Sequence, residues 1–288
     1  CCAWAVFKIC NYLLRFTGKA KYGDWAEQML INGVAGQPPI DSEGHVMYYA
    51  GYFVDGAVKS LEDRRLQPNG ANFEWQCCTG TFPQDVAEYA NMIYYTDEEG
   101  IYVSQYLPSK ASFSIHGSRF VLENCSHGDI SPLRKFRVQA EGGTSCRISF
   151  RIPRWAKGVN RILVNGEDMG LSAQPDTWAV LEREWQADDV IEISLPFSLE
   201  FKPVDEENPD IAALCFGPVV LAADKMSLLD GDMEHPEEWI TCIDEKQMLF
   251  RTAPGHVCPY PQAVRTFRPY YKIPVMEWYF MYVRFQQR

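Results

Sequence analysis

Gly100-Ile101-Tyr102-Val103-Ser104-Gln105-Tyr106-Leu107 is the stretch at which this chain changes period. Before it, apolar residues recur at helical spacing. From it onward they alternate, in short runs separated by turn residues. Upstream, residues 3–16 carry Val6, Phe7, Cys10, Leu13 and Leu14 at helical spacing and stop at Thr17-Gly18, where glycine suits a left-handed cap. Asp24 and Glu27 read as an Asp-x-x-Glu capping signal. The helix they open passes through Trp25, Met29 and Leu30 and closes near Asn32-Gly33. Residues 35–80 read mostly as loop. A third helix is expected from Pro83, with Val86, Tyr89, Ala90 and Ile93 as its apolar face.

Downstream, strands are expected at 101–107, 135–140, 146–152, 161–164, 178–181 and 190–195, and Asn165-Gly166 is a hairpin-turn signal. Regular short strands with such turns point to an antiparallel sandwich. Residues 211–223 read as a buried strand interrupted by Gly217-Pro218, residues 225–262 as irregular, and the tail 270–283 as extended. The expected organisation is multidomain α and β. Residues 1–98 are the end of a helical domain, 99–224 a β-sandwich, and 225–288 an irregular segment whose last strands complete a β-sandwich. Three helices close a core of their own poorly, so sequence ahead of residue 1 is expected.

The 288 residues carry a net charge of −11 with no basic stripe, which disfavours nucleic acid as a partner. No apolar run approaches the roughly 20 residues of a membrane span. A neutral ligand is easier to accommodate, and a homo-oligomer is compatible with the sequence. The many aromatic residues suit sheet cores first and sugar-stacking surfaces second.

Ten cysteines include two vicinal pairs, Cys1-Cys2 and Cys77-Cys78. Adjacent cysteines rarely bridge each other, so metal ligation or thiol chemistry gains weight. Trp75-Gln76-Cys77-Cys78-Thr79-Gly80-Thr81 is read as a loop just ahead of a helix, where backbone N–H groups favour a thiolate. Thiolates from two segments can form a zinc site, but spacing alone leaves that even with buried structural cysteines. Cys10, Cys125, Cys146, Cys215, Cys242 and Cys258 read as small buried hydrophobes, and Asp205-Glu206-Glu207 as a solvated turn.

Thr17-Gly18-Lys19-Ala20-Lys21-Tyr22-Gly23-Asp24-Trp25-Ala26-Glu27-Gln28-Met29-Leu30-Ile31-Asn32-Gly33 and Cys77-Cys78-Thr79-Gly80-Thr81 resemble segments of glycoside hydrolase family 127 and the related family 146. Arg151-Ile152-Pro153-Arg154-Trp155, Val164-Asn165-Gly166, Trp185 before Asp188-Asp189, Gly217-Pro218 and Phe267-Arg268-Pro269-Tyr270-Tyr271 continue the likeness in order. The resemblance implies C-terminal helices of an (α/α)6 barrel followed by antiparallel β-sandwich modules. It implies a retaining hydrolase of β-L-arabinofuranosides or similar plant-derived sugars. Zn2+ would be held by Cys1, Cys77 and Cys78 with a glutamate, and Cys77 would be the nucleophile. The ungapped register selects Cys1 and a one-residue shift selects Cys2. Tyr48 resembles a sugar-contacting position, with a packed aromatic as the alternative, and His45 lies near it. The family's acid glutamate and its zinc-ligand glutamate would precede Cys1, so this chain is expected to be inactive alone. Rival readings are a non-catalytic carbohydrate-binding or scaffolding β-sandwich and a zinc-structural or thiol-redox domain.

Overall fold

The computed structural model describes residues 2–36, 56–59 and 76–286, apart from 127–129, 141–142, 159, 172 and 276, and describes 76–79 by backbone only. The chain is mostly β-sheet with few helices. It divides into two compact units: Cys1–Trp4, Gln28–Asp85 and Leu199–Arg288 in one, Ala5–Glu27 and Val86–Ser198 in the other.

Helix α1 (Cys2–Thr17) buries Phe7, Cys10 and Leu14 on one face. It ends as its sequence indicates: Gly18 takes φ +64° and its N–H donates to Leu14 O at 2.8 Å. Helix α2 (Lys21–Gln28) runs into a wide, π-type turn at Met29–Val34. Asp24 does not cap α2. It lies buried inside the helix, as does Glu27. After strand β1 (Ala57–Val58), helix α3 (Gln76–Ala90) starts well ahead of Pro83, which sits within it.

The buried face of α3 also differs from the expected one. Asp85, Glu88 and Tyr89 are buried, whereas Val86 is 52% exposed. Partners from α1 make this affordable for Glu88: Lys8 pairs with it at 2.7 Å and Asn11 Nδ2 donates to it at 2.7 Å. The Tyr89 ring meets Phe7 edge-on at 5.5 Å. A paired carboxylate can be buried where an apolar side chain was expected.

The unit containing Val86–Ser198 holds two sheets. Strands β2 (Tyr94–Thr96), β3 (Gly100–Val103), β7 (Thr144–Ile152) and β10 (Thr177–Trp185) make a four-stranded sheet in the order β10-β7-β3-β2. The second sheet contains β4 (Ser109–Ile115), β5 (Ser118–Asn124), β6 (Leu133–Ala140), β8 (Arg161–Val164), β9 (Glu167–Asp168) and β11 (Val190–Ser194), ordered β4-β5-β6-β11-β8-β9. Alternate residues from both sheets enter one cluster: Ile148, Phe150 and Ile152 of β7, Phe136 and Val138 of β6, Ile191 and Ile193 of β11. Trp185 is fully buried and its Nε1 donates to Cys146 O at 3.0 Å. Fully burying a side chain of the Val, Leu, Ile or Phe class contributes about 1.5–3 kcal/mol. Asn165-Gly166 takes φ +54° and +83° between β8 and β9, as its hairpin signal requires. The β4–β5 hairpin, turning at His116-Gly117, was not expected from the sequence. Nor was the parallel pairing of β3 with β7.

In the unit containing Leu199–Arg288, Gly217-Pro218 is the turn of a hairpin between β13 (Ile211–Phe216) and β14 (Val219–Ala223), with β12 (Leu199–Pro203) on the other side of β13. Residues 225–262 are not irregular throughout. They supply β15 (Leu228–Leu229), β16 (Ile240–Asp244), β17 (Leu249–Thr252) and β18 (Val257–Cys258). With β12, β13, β14, β19 (Thr266–Pro269) and β21 (Val283–Phe285) these four strands form a nine-stranded sheet, while β20 (Trp278–Tyr279) pairs with β1. A single tight helical turn at Tyr270–Lys272 interrupts the tail.

Gly100 opens β3 with φ +154°, and a Cβ there would lie 2.0 Å from the backbone oxygen of Arg147 on β7. Only glycine allows the parallel β3–β7 contact at that point. We expect Gly100→Ala to lower unfolding free energy by about 2–3 kcal/mol in chemical denaturation. A wild-type midpoint in the variant would show that β3 and β7 do not approach in this way.

Candidate functional site

The backbone places Cys77 and Cys78 in the first turn of α3 rather than in a loop ahead of it. The first N–H groups of a helix have no partner within it, and the helix dipole is positive there. Both effects favour a thiolate over a thiol. The side chains of Cys77 and Cys78, and Cys1, His45 and Tyr48 altogether, lie outside the described residues. Cys2 is described: it is exposed, at the start of α1. Among the described residues, no group of three or more His, Cys, Asp or Glu could hold a metal ion.

The other cysteines separate by environment. Burial pushes the Cys10 thiol up to about 12 and those of Cys146 and Cys215 up to about 11. These three are inert packing groups, as their sequence reading holds. Cys125 and Cys258 are only half-buried and Cys242 is exposed, which corrects the expectation that all six are buried. Asp85 is a carboxylate that sequence reasoning passed over. It lies two helical turns beyond Cys78, is 6% exposed, and its Oδ1 has no hydrogen-bond partner. Burial raises its pKa. Its only sequence signal is the seven-residue spacing from Cys78, and the neighbouring Val86 points the opposite way.

The best-defined polar cluster surrounds Arg151, at the end of β7. Its side chain is fully buried. Nη1 donates to Asp24 Oδ1, Nη2 pairs with Glu27 Oε2 at 3.3 Å, and Nε donates to Ser104 O at 2.5 Å. The backbone N–H of Arg154 donates to Asp24 Oδ2 at 2.6 Å, and Trp155 Nε1 donates to Glu27 Oε2 at 2.8 Å. Gln105 extends the cluster, donating to Gly23 O at 2.9 Å and accepting from the Tyr89 hydroxyl at 2.8 Å. Two carboxylates share one guanidinium. Burial therefore pushes Asp24 up to about 6 although Arg151 opposes it, and the two carboxylates hold the Arg151 proton more tightly than usual. The cluster is closed by its own members, with Arg151 Nη2 held by the ion pair to Glu27 and no hydrogen bond, and it positions α2.

Residues 100–197 match the family profile described as the Beta-L-arabinofuranosidase, GH127 middle domain. The chain is GH127-like. No curated protein matches it in sequence. A crystal structure of a GH127 β-L-arabinofuranosidase from Geobacillus stearothermophilus T6 superposes with a TM-score of 0.76 at 16% identity, over 98% of this chain and 49% of that one. A GH127 β-arabinofuranosidase, BT3674, gives 0.76 at 17% identity, over 99% and 49%. A structure titled glycoside hydrolase gives 0.74 at 17%, over 98% and 51%. At these identities the likeness is one of fold, and the chain spans about half the length of each of those structures.

In this GH127-like chain the sequence landmarks meet in pairs. Asp24 and Glu27 meet Arg151, Arg154 and Trp155. Asn32 donates to Pro218 O at 2.9 Å and accepts from Val220 N–H at 2.8 Å, reading both sides of the Gly217-Pro218 turn. Asn165 donates to Asp189 Oδ1 at 2.7 Å and accepts from Val190 N–H at 2.9 Å. None of these residues is needed for chemistry to explain its place.

The raised Asp24 pKa fixes a sign. The folded state holds this proton more tightly than the unfolded chain does. The stabilisation is full below the ordinary value of 3.8 and is lost as pH rises through about 6. Asn at this position has no such proton. Between pH 4 and 7 the stability difference between Asp24→Asn and wild type should therefore move in the variant's favour by roughly 1–3 kcal/mol. Urea titrations at stepped pH read it directly, and a difference that is flat or moves the other way would sink the assignment.

Proposed function

We propose that this chain is the part of a retaining glycoside hydrolase that carries a cysteine nucleophile, acting on β-L-arabinofuranosides or similar plant-derived sugars. The observation that carries the reading is a Cys-Cys pair in the first turn of a helix, in a chain whose fold overlaps GH127 structures over 98% of its length. In this reading α1 to α3 belong to the end of an (α/α)6 barrel within 1–98. The two sheets that share a core belong to a β-sandwich within 99–224, and residues 225–288 complete a further β-sandwich.

Cys77 is the nucleophile. Its thiolate attacks the anomeric carbon, a carbon–sulfur bond forms, and the bond to the leaving oxygen breaks with its electron pair on that oxygen. A general acid must protonate the oxygen. Water then displaces the sulfur, returning the thiolate and retaining configuration. Tyr48 and His45 are assigned to the sugar pocket. Cys1, Cys77 and Cys78 are soft thiolate donors of the kind zinc prefers, and zinc bound there would keep the thiolates deprotonated at neutral pH. The acid glutamate and the glutamate that would complete the zinc set have no counterpart in these 288 residues, so the chain alone is inactive in this reading.

Metal analysis and labelling test it. The polypeptide that supplies the glutamates should hold about one zinc per chain, reduced in Cys77→Ser and Cys78→Ser. It should be labelled on Cys77 by a mechanism-based arabinofuranosyl inhibitor. Cys77→Ser should lower kcat/KM by roughly 10⁴-fold. Zinc without labelling would favour a structural or redox site. Sugar binding with neither would favour a non-catalytic carbohydrate module.

A further inference from the structure

Asn165-Gly166 forms the turn between β8 and β9, and both residues are exposed to solvent. Glycine after asparagine leaves the next backbone nitrogen unhindered. An asparagine so placed is open to a well-defined self-reaction. The Gly166 nitrogen gives its proton to solvent base and attacks Cγ of Asn165. The new carbon–nitrogen bond closes a succinimide ring, the Cγ–Nδ2 bond breaks, and the amide nitrogen takes a proton from solvent and leaves as ammonia. Water then opens the ring to aspartate or to isoaspartate, which carries an extra carbon in the backbone. The attack needs Cγ free to swing onto the nitrogen that follows it.

Asn165 is tied down at each of its polar groups. Its backbone N–H donates to Val190 O at 2.8 Å, its Oδ1 accepts from Val190 N–H at 2.9 Å, and its Nδ2 donates to Asp189 Oδ1 at 2.7 Å. An exposed turn residue is thereby fastened to the start of β11. Asp189 is itself 5% exposed, and its Oδ2 accepts from Gln186 N–H at 2.9 Å, so the anchor is fixed in turn. We propose that Asn165 is a latent deamidation site, kept intact because Asp189 and Val190 hold its side-chain amide away from the Gly166 nitrogen. Its conversion would reverse the sign of the clasp. An aspartate there would put a carboxylate oxygen where Nδ2 now lies, against Asp189 Oδ1. An isoaspartate would lengthen a turn whose two residues fit the strands as they are. Neither zinc nor the Cys77 assignment enters this chemistry.

Peptide mapping by mass spectrometry, on the 288-residue chain incubated at mildly alkaline pH, tests it. Asn165 should deamidate at least about thirtyfold more slowly in the folded chain than in the same chain unfolded in urea, the weight of the two side-chain hydrogen bonds. Asp189→Ala should raise the folded-state rate at Asn165 by about tenfold or more, while amide exchange at Ile191 and Ile193 of β11 stays slow. Asn165→Asp should lower the unfolding midpoint by roughly 4 °C or more. Adding Asp189→Asn, which exchanges donor and acceptor across the same contact, should return at least about half of that loss. Equal rates in the folded and unfolded chains overturn the proposal. A faster rate in the folded chain also overturns it, because the Val190 N–H would then be assisting attack by steadying charge on Oδ1. If Asp189→Ala speeds exchange at Ile191 and Ile193 as much as deamidation at Asn165, the cause is a loosened sheet and the role given to Asp189 fails.

Discussion

A guanidinium removed from water must find its partners inside the protein, and Arg151 finds them in residues far away in sequence: hydrogen bonds at Nε and Nη1 and an ion pair at Nη2. Its side chain is fully buried, and Asp24 and Glu27 reach it from α2. Being three residues apart on a helix, these two carboxylates fix the rotation of α2 about its axis. The approach is close enough that a Cβ on Gly23 would lie 2.6 Å from Arg151 Cδ, so glycine is required beside the aspartate. The chain then continues past β7 into Arg154 and Trp155, whose N–H groups return to the same two carboxylates. A cluster of this kind adds little net stability, because desolvation offsets most of the attraction. What it supplies is a single allowed seating, since any other leaves a buried charge unmatched.

The same logic recurs with neutral groups. A side-chain amide carries one acceptor and donors on a short stem. Asn32 uses both on backbone at the Gly217-Pro218 turn, and Asn165 donates to the Asp189 carboxylate while accepting from Val190 N–H. Lys59 is buried and donates to Tyr270 O at 2.8 Å and Ile273 O at 3.0 Å, closing the tight turn between them. Burial and the nearby Arg268 lower its pKa to about 8, so this clasp holds its charge less firmly than an exposed lysine would. Each clasp takes a residue from one element and satisfies backbone or charge on another. That is why the landmarks of the sequence occur in separate, ordered pieces.

This also explains what could be read from the sequence. The ends of α1, the Asn165-Gly166 turn and the strands with strong alternation depend on local geometry, and local geometry is written locally. Asp24-x-x-Glu27 is ambiguous in isolation, because a capping pair and a buried pair share one spacing. The deciding partner, Arg151, is 127 residues away from Asp24. The face of α3 failed for the same reason: Glu88 is buried because Lys8 and Asn11 come to meet it. The β4–β5 hairpin was missed because Ser109–Ile115 sets serines between only two large apolar residues, Phe113 and Ile115, and its His116-Gly117 turn carries a weak signal. The short strands among the acidic residues after 225 owe their pairing to neighbours in the sheet, not to their own pattern.

The cysteines show how far the candidate site was legible. Their number and pairing drew attention to thiol chemistry, but sequence alone does not rank one cysteine above another. Environment does. A thiol raised to about 12 by burial, as at Cys10, or to about 11, as at Cys146, is protonated at neutral pH and neither attacks nor ligates readily. A cysteine in the first turn of a helix experiences the opposite field. In the proposed reading that difference in field, more than the count of sulfurs, assigns the chemistry to Cys77 and Cys78 and leaves the core cysteines to packing. A group that must hold a proton at neutral pH is poorly placed beside helix N–H groups that favour negative charge, so a nucleophile and an acid need different environments.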